Sequence, residues 1–129
     1  MNKLDKKTVT GISALLVHAA NIDEIYSDHE KDLIKNFIKS YLENEDANSI
    51  LKEAEKIECN SNQLLNFTNI LKKNSIEIKK DIIEHLWKII ISDNTIDQYE
   101  SNLMRRICGL IYFPDKECAE IKLKLMENK

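Results

Sequence analysis

An octet of the form D-x-x-x-[S/D]-x-x-E occurs twice in this chain, as Asp23-Glu-Ile-Tyr-Ser27-Asp-His-Glu30 and as Asp93-Asn-Thr-Ile-Asp97-Gln-Tyr-Glu100. Each copy lies between two segments with the apolar spacing of an amphipathic helix. The chain is thus built from one helix–acidic loop–helix unit used twice. A shift of 70 residues places Ile12 on Ile82, Leu16 on Leu86, Asp23 on Asp93, Glu30 on Glu100 and Leu33 on Leu103. Phe37, Ile38 and Tyr41 then fall on Ile107, Cys108 and Ile111. A solenoid needs about three or more repeats to bury a continuous face. Two copies instead predict a pair of related hairpins packed in one globule.

The chain has 129 residues, with only two glycines and one proline. That is enough for one hydrophobic core and too little turn chemistry for a many-stranded sheet, so an all-α fold is expected. Seven helices are predicted. The first runs from Asp5 or Thr8 to Ile22 on Val9, Ile12, Leu15, Leu16 and Ala19. The second starts at Ser27 on Leu33, Ile34, Phe37, Ile38 and Tyr41. A short third carries Ile50, Leu51, Ala54 and Ile57, and a fourth Leu64, Leu65, Phe67, Ile70 and Leu71. The fifth, Ser75 to Ser92, has the most apolar stripe and is expected at the centre, with Trp87 as core rather than ligand platform. The sixth runs from Asp97 to about Tyr112 before Pro114, and the last from Asp115 to Met126.

Composition excludes several functions. The net charge is −3 and the basic pairs are scattered, which argues against nucleic acid. Cys59, Cys108 and Cys118 form no C-x-x-C pattern and are odd in number, which suggests neither a disulfide framework nor a zinc site and fits a reduced, cytoplasmic setting. The run from Thr8 to Ala20 after Lys3, Lys6 and Lys7 imitates a secretory signal, but its spacing recurs internally at Ile78–Ile91, so it is read as a helix. No run approaches the ~20 apolar residues of a membrane span.

The acidic joints have two readings. Ser27-x-x-Glu30 and Asp97-x-x-Glu100 fit the capping box, in which the cap side chain takes an N–H three residues on and the glutamate reaches back. Asp23 and Asp93 are left over, at helix C-termini where the macrodipole disfavours an acid. They either close an Asx-type turn or join the glutamates around a hard cation such as Ca²⁺ or Mg²⁺. An EF-hand is excluded, because its sixth loop position would be Asp28 or Gln98 and its twelfth Ile34 or Met104. His18, His29 and His85 are dispersed, and Asp81 with His85 reads as a solvated pair one helical turn apart.

The segment Leu86-Trp-Lys-Ile-Ile-Ile-Ser-Asp93-Asn-Thr-Ile-Asp97-Gln-Tyr-Glu100-Ser-Asn-Leu-Met-Arg-Arg-Ile107, with its partial copy upstream, resembles the TerB-like family of tellurite-resistance proteins. The resemblance covers about Thr8 to Met126. It implies a single helical domain over 1–129, with repeat halves at about 8–42 and 78–112. It also implies an acidic metal site of Asp23, Glu30, Asp93, Asp97 and Glu100, with Ser27 in support where many relatives have an acid. Glu24 and Asn94 stand where relatives usually have glycine. The function implied is non-enzymatic, in tellurite or stress resistance, through Ca²⁺ or Mg²⁺, a protein partner or a second copy of the chain. The alternatives are a carboxylate- or Mg²⁺-dependent enzyme and a purely structural interaction module.

Overall fold

The computed structural model describes residues 5–21, 28–43, 45–60, 64–91 and 98–127, with the side chains of 64–67 and 98–100 outside the description. Seven helices make up these segments: α1 (Lys6–Ala20), α2 (Asp28–Tyr41), α3 (Ala47–Asn60), α4 (Leu64–Lys72), α5 (Ile76–Ile91), α6 (Gln98–Leu110) and α7 (Asp115–Glu127). There is no strand among the described residues. The all-α expectation holds.

The helix limits follow the 70-residue shift. Lys6 and Ile76 open α1 and α5, Asp28 and Gln98 open α2 and α6. Burial follows it as well: Ile12 and Ile82, Leu16 and Leu86, Phe37 and Ile107, and Ile38 and Cys108 are all fully buried. Periodicity set these faces because each is a stripe at helical spacing.

The central helix is α1, not α5. It packs against α2, α3, α4 and α5. Between Thr8 and Ala20 it carries no Asp, Glu, Lys or Arg, and a helix without a charged face is one that is buried all round. The α5 positions corresponding to Thr10, Gly11, Ala14 and His18 are Lys80, Asp81, Glu84 and Lys88, which keep that side of α5 toward solvent. The buried hydroxyls of α1 are satisfied within the helix. Thr10 Oγ1 donates to the Lys6 carbonyl and Ser13 Oγ to the Val9 carbonyl, each at 2.7 Å. Gly11 lets α4 come close, since a Cβ there would run into Ile70 Cδ1.

Helix ends show which local signals acted. Asp5 caps α1, its Oδ1 accepting from the Thr8 N–H at 2.7 Å, and this bond holds the exposed carboxyl below its usual range. Ser75 Oγ accepts from the Ile78 N–H at 3.3 Å at the start of α5. The third helix is not short: Asp46 Oδ1 takes the Asn48 N–H at 3.0 Å, and 14 residues follow, with Ile50, Leu51 and Ala54 buried. The sixth helix stops at Leu110, before the expected Tyr112. There Tyr112 takes φ 60°, its N–H reaches the Gly109 carbonyl at 3.4 Å, and the Phe113 N–H reaches the Cys108 carbonyl at 2.8 Å. That pair of bonds is a Schellman stop, with tyrosine in the left-handed position that glycine usually fills. Phe113 and Cys108 are both buried, supplying the apolar contact that accompanies such a stop.

Candidate functional site

The two acidic joints link α1 to α2 and α5 to α6. Asp23, Ser27, Asp93 and Asp97 lie outside the described residues. Glu100 belongs to the first turn of α6, with its side chain outside the description. Glu30 is described and is 6% exposed in the first turn of α2. Both helices begin where the capping-box pattern requires. Asp28 and Gln98 are the first helical residues, one after Ser27 and Asp97, so Glu30 and Glu100 each occupy the third position. An acid in a first turn is favoured by the helix dipole, which helps a glutamate such as Glu30 to be buried there.

The donor set proposed at the joints is all oxygen, the kind that hard cations take. Among the described residues, no group of three or more His, Cys, Asp or Glu side chains is placed to hold a metal ion. Of the five candidate acids, Glu30 alone has its side chain within that description.

Next to the first joint, Glu58 near the end of α3 accepts from Asn21 Nδ2 at 3.3 Å and lies 3.3 Å from His18 Nδ1. This ties the C-terminal end of α1 to α3. Nothing in the spacing of His18 and Glu58, 40 residues apart, could have signalled the pair.

Asp81 and His85 form the expected pair one helical turn apart, partly exposed, and Asp81 has a further partner on α2. Tyr41 Oη donates to Asp81 Oδ2 at 2.6 Å, and His85 Nδ1 lies 2.8 Å from the Asp81 carbonyl oxygen. The Asp81 carboxylate is 3.7 Å from the same ring nitrogen. Phe37 stands edge-on to the His85 ring, with centroids 5.2 Å apart, and at the same separation from Tyr41. Burial, the bond to Asp81 and the charge of that carboxylate push the Tyr41 phenol well above its ordinary value. This cluster joins α2 to α5 and makes a strong structural strut.

Clefts also open among the described residues. One of about 660 Å³ is lined by Lys6, Lys7, Thr10, Ser49, Ile50, Glu53 and Ile57 at the start of α1. Another, about 510 Å³, lies among α5, α6 and α7 and includes Trp87, Arg105, Cys118 and Lys122. Trp87 is core, as expected, at 4% exposure, yet it also lines this cleft. Glu30, the joint acid whose side chain is described, lines neither cleft.

Seven helices among the described residues, a 70-residue internal register and acids that recur in sequence at the two equivalent joints define an all-helical protein of repeated hairpins. A family model described as Tellurite resistance protein TerB matches residues 10–123, and the chain belongs to that family. No curated protein and no solved structure matches it. Among the described residues, no helix is long and apolar enough to cross a membrane.

Proposed function

We propose that this TerB-family chain acts by binding rather than by catalysis, holding a divalent cation, Ca²⁺ or Mg²⁺, at its acidic joints. The ligands would be Asp23, Glu30, Asp93, Asp97 and Glu100, with Ser27 in support. The cation would neutralise carboxylates that crowd two helix junctions, and so couple ion occupancy to the packing of α1 on α2 and to the placing of α6. Presentation of that surface to a protein partner or to a second copy of the chain, in a cytoplasmic tellurite or stress response, is part of the same proposal.

The observation that supports this reading is the recurrence of the acids beyond what capping requires. The capping box accounts for Ser27, Glu30, Asp97 and Glu100, whereas Asp23 and Asp93 recur at the same register on the wrong side of the helix dipole.

The test compares melting temperature in millimolar CaCl₂ or MgCl₂ with that in NaCl of equal ionic strength, for the wild type and for Asp93→Asn with Asp97→Asn. Binding to the folded state raises stability by mass action, whereas screening of repelling carboxylates responds to any salt. A specific divalent shift that the double variant loses is expected. Equal shifts in both salts would overturn the cation reading.

A further inference from the structure

Helix α7 carries apolar side chains on two faces. Cys118 and Ile121 are buried and Leu125 packs on the core beside them. A second stripe, Ala119, Leu123 and Met126, runs down the helix at i, i+4, i+7 spacing and is left in water, with Leu123 60% and Met126 47% exposed. Ile76 and Tyr112, the other large apolar side chains exposed among the described residues, lie away from α7. The stripe runs into the cleft of about 510 Å³ among α5, α6 and α7: Ala119 belongs to both, and the buried Met104 and Cys118 also line the cleft.

One face of α7 thus has protruding apolar side chains toward its C-terminal end and an apolar receptacle toward its N-terminal end. Within one chain they cannot meet, because Ala119 and Met126 are held about 10 Å apart along the helix. A second copy running antiparallel satisfies both at once. With the two-fold axis level with Lys122, each Leu123 and Met126 falls on the other copy's Ala119, whose small side chain leaves the mouth of the cleft open. Methionine, flexible and unbranched, suits such an irregular gap.

The charges fit the same register. Lys116 and Glu127 are both exposed and flank the stripe on one side, near its two ends. Antiparallel pairing about that axis sets each Lys116 against the other copy's Glu127, twice over, as an isologous contact requires. Lys122, the cation nearest its own image, is drawn aside over the Trp87 ring, with Nζ 5.4 Å from the centroid.

We propose that the chain forms a two-fold homodimer through α7, in which Leu123 and Met126 of each copy cover the other's Ala119 and Met126 enters the other's cleft. This surface is independent of the acidic joints and of any ion held there. One helix face and one cleft from each copy fall short of the ~1,600 Å² of a standard interface, so the dimer is a concentration-dependent one.

The experiment is analytical ultracentrifugation of the full chain from about 10 μM to about 1 mM, a range that brackets a weak association, at low salt and with reductant so that the exposed Cys59 forms no disulfide. The weight-average mass is expected to climb from the 15.0 kDa monomer toward twice that value. Leu123→Glu and Met126→Glu, exposed positions that leave the fold intact by circular dichroism, should each weaken association by about tenfold or more. Ile76→Ser, at a comparably exposed residue on α5, should leave it unchanged. Lys116→Glu and Glu127→Lys should each weaken it several-fold, and the two together should restore it. A chain that stays monomeric to about 1 mM overturns the proposal and gives the face to an unlike partner. Association that survives Leu123→Glu, that Ile76→Ser weakens equally, or that the paired charge reversal fails to restore overturns it as well.

Discussion

Tyr41 Oη donates to Asp81 Oδ2 at 2.6 Å, so the last residue of α2 is fastened to the middle of α5 across 40 positions of sequence. In the 70-residue register, Tyr41 corresponds to Ile111 and Asp81 to Gly11. Neither residue of this strut is repeated. The bond is therefore an asymmetric fastening laid over a symmetric plan, and it makes α2 the helix that α5 holds.

Tyr41→Phe removes the donor while keeping the ring against Phe37. A hydrogen bond to a charged acceptor contributes about 1.5–3 kcal/mol, but the partly exposed Asp81 can rehydrate, so a loss of about 1–2 kcal/mol is expected. Denaturant titration at neutral pH measures it, and a cycle with Asp81→Asn should show that the two losses are not additive. Additive losses would mean that the bond contributes nothing of its own.

The same phenol fixes the sign of an alkaline effect. Its folded-state value is raised above the ordinary 10, so its contribution is complete below about pH 10 and is lost as pH climbs toward the folded-state value. Melts between pH 9 and about 11.5 should fall more steeply for the wild type than for Tyr41→Phe. A parallel decline in both proteins would show that other groups govern alkaline unfolding.

Gly11 and Ile70 should be coupled. An alanine in an exposed helix interior is favoured over glycine by about 1 kcal/mol, but at Gly11 the new Cβ meets Ile70 Cδ1. Ile70→Val removes that atom, and the remaining Ile70 carbons lie 3.7 and 4.0 Å from the built Cβ, at ordinary contact distance. Gly11→Ala is expected to raise stability by up to about 1 kcal/mol in the Ile70→Val background and by less, or not at all, in the wild type. Gly11→Leu, too large for either, should cost about 1–3 kcal/mol. Equal effects of Gly11→Ala in both backgrounds would remove the close approach of α1 and α4 from the explanation.

Tyr112 holds the left-handed position of the α6 stop at a steric cost of about 1–2 kcal/mol that glycine does not bear. Against this, Lys72 Nζ sits 4.8 Å from the centroid of the 70%-exposed Tyr112 ring, a contact of about 0.5–1 kcal/mol at such a site. Glycine also has the greater entropy to lose on folding. Tyr112→Gly is therefore expected to change stability by no more than about 1 kcal/mol, toward greater stability, while Tyr112→Val should lower it. Chemical denaturation of the three proteins decides the order.

The sequence by itself determined the element order, the register and the buried face of nearly every helix, because helical periodicity and capping act within a few residues. Ile12, Leu16, Ile34 and Phe37 are buried where spacing placed them, and α2 and α6 open where the capping pattern required. It also held the clue to the centre of the molecule, in the uncharged run from Thr8 to Ala20, although the stripe of large apolar side chains pointed to α5. The candidate ligands Asp23, Asp93 and Asp97 were legible only as a repeated pattern, since spacing along a chain gives no distance between two loops. The tertiary structure decided what depends on helices meeting: Tyr41 on Asp81, His18 on Glu58, and Gly11 under Ile70. Pairs that span one helix with another follow from crossing geometry and side-chain volume, and no local propensity encodes them.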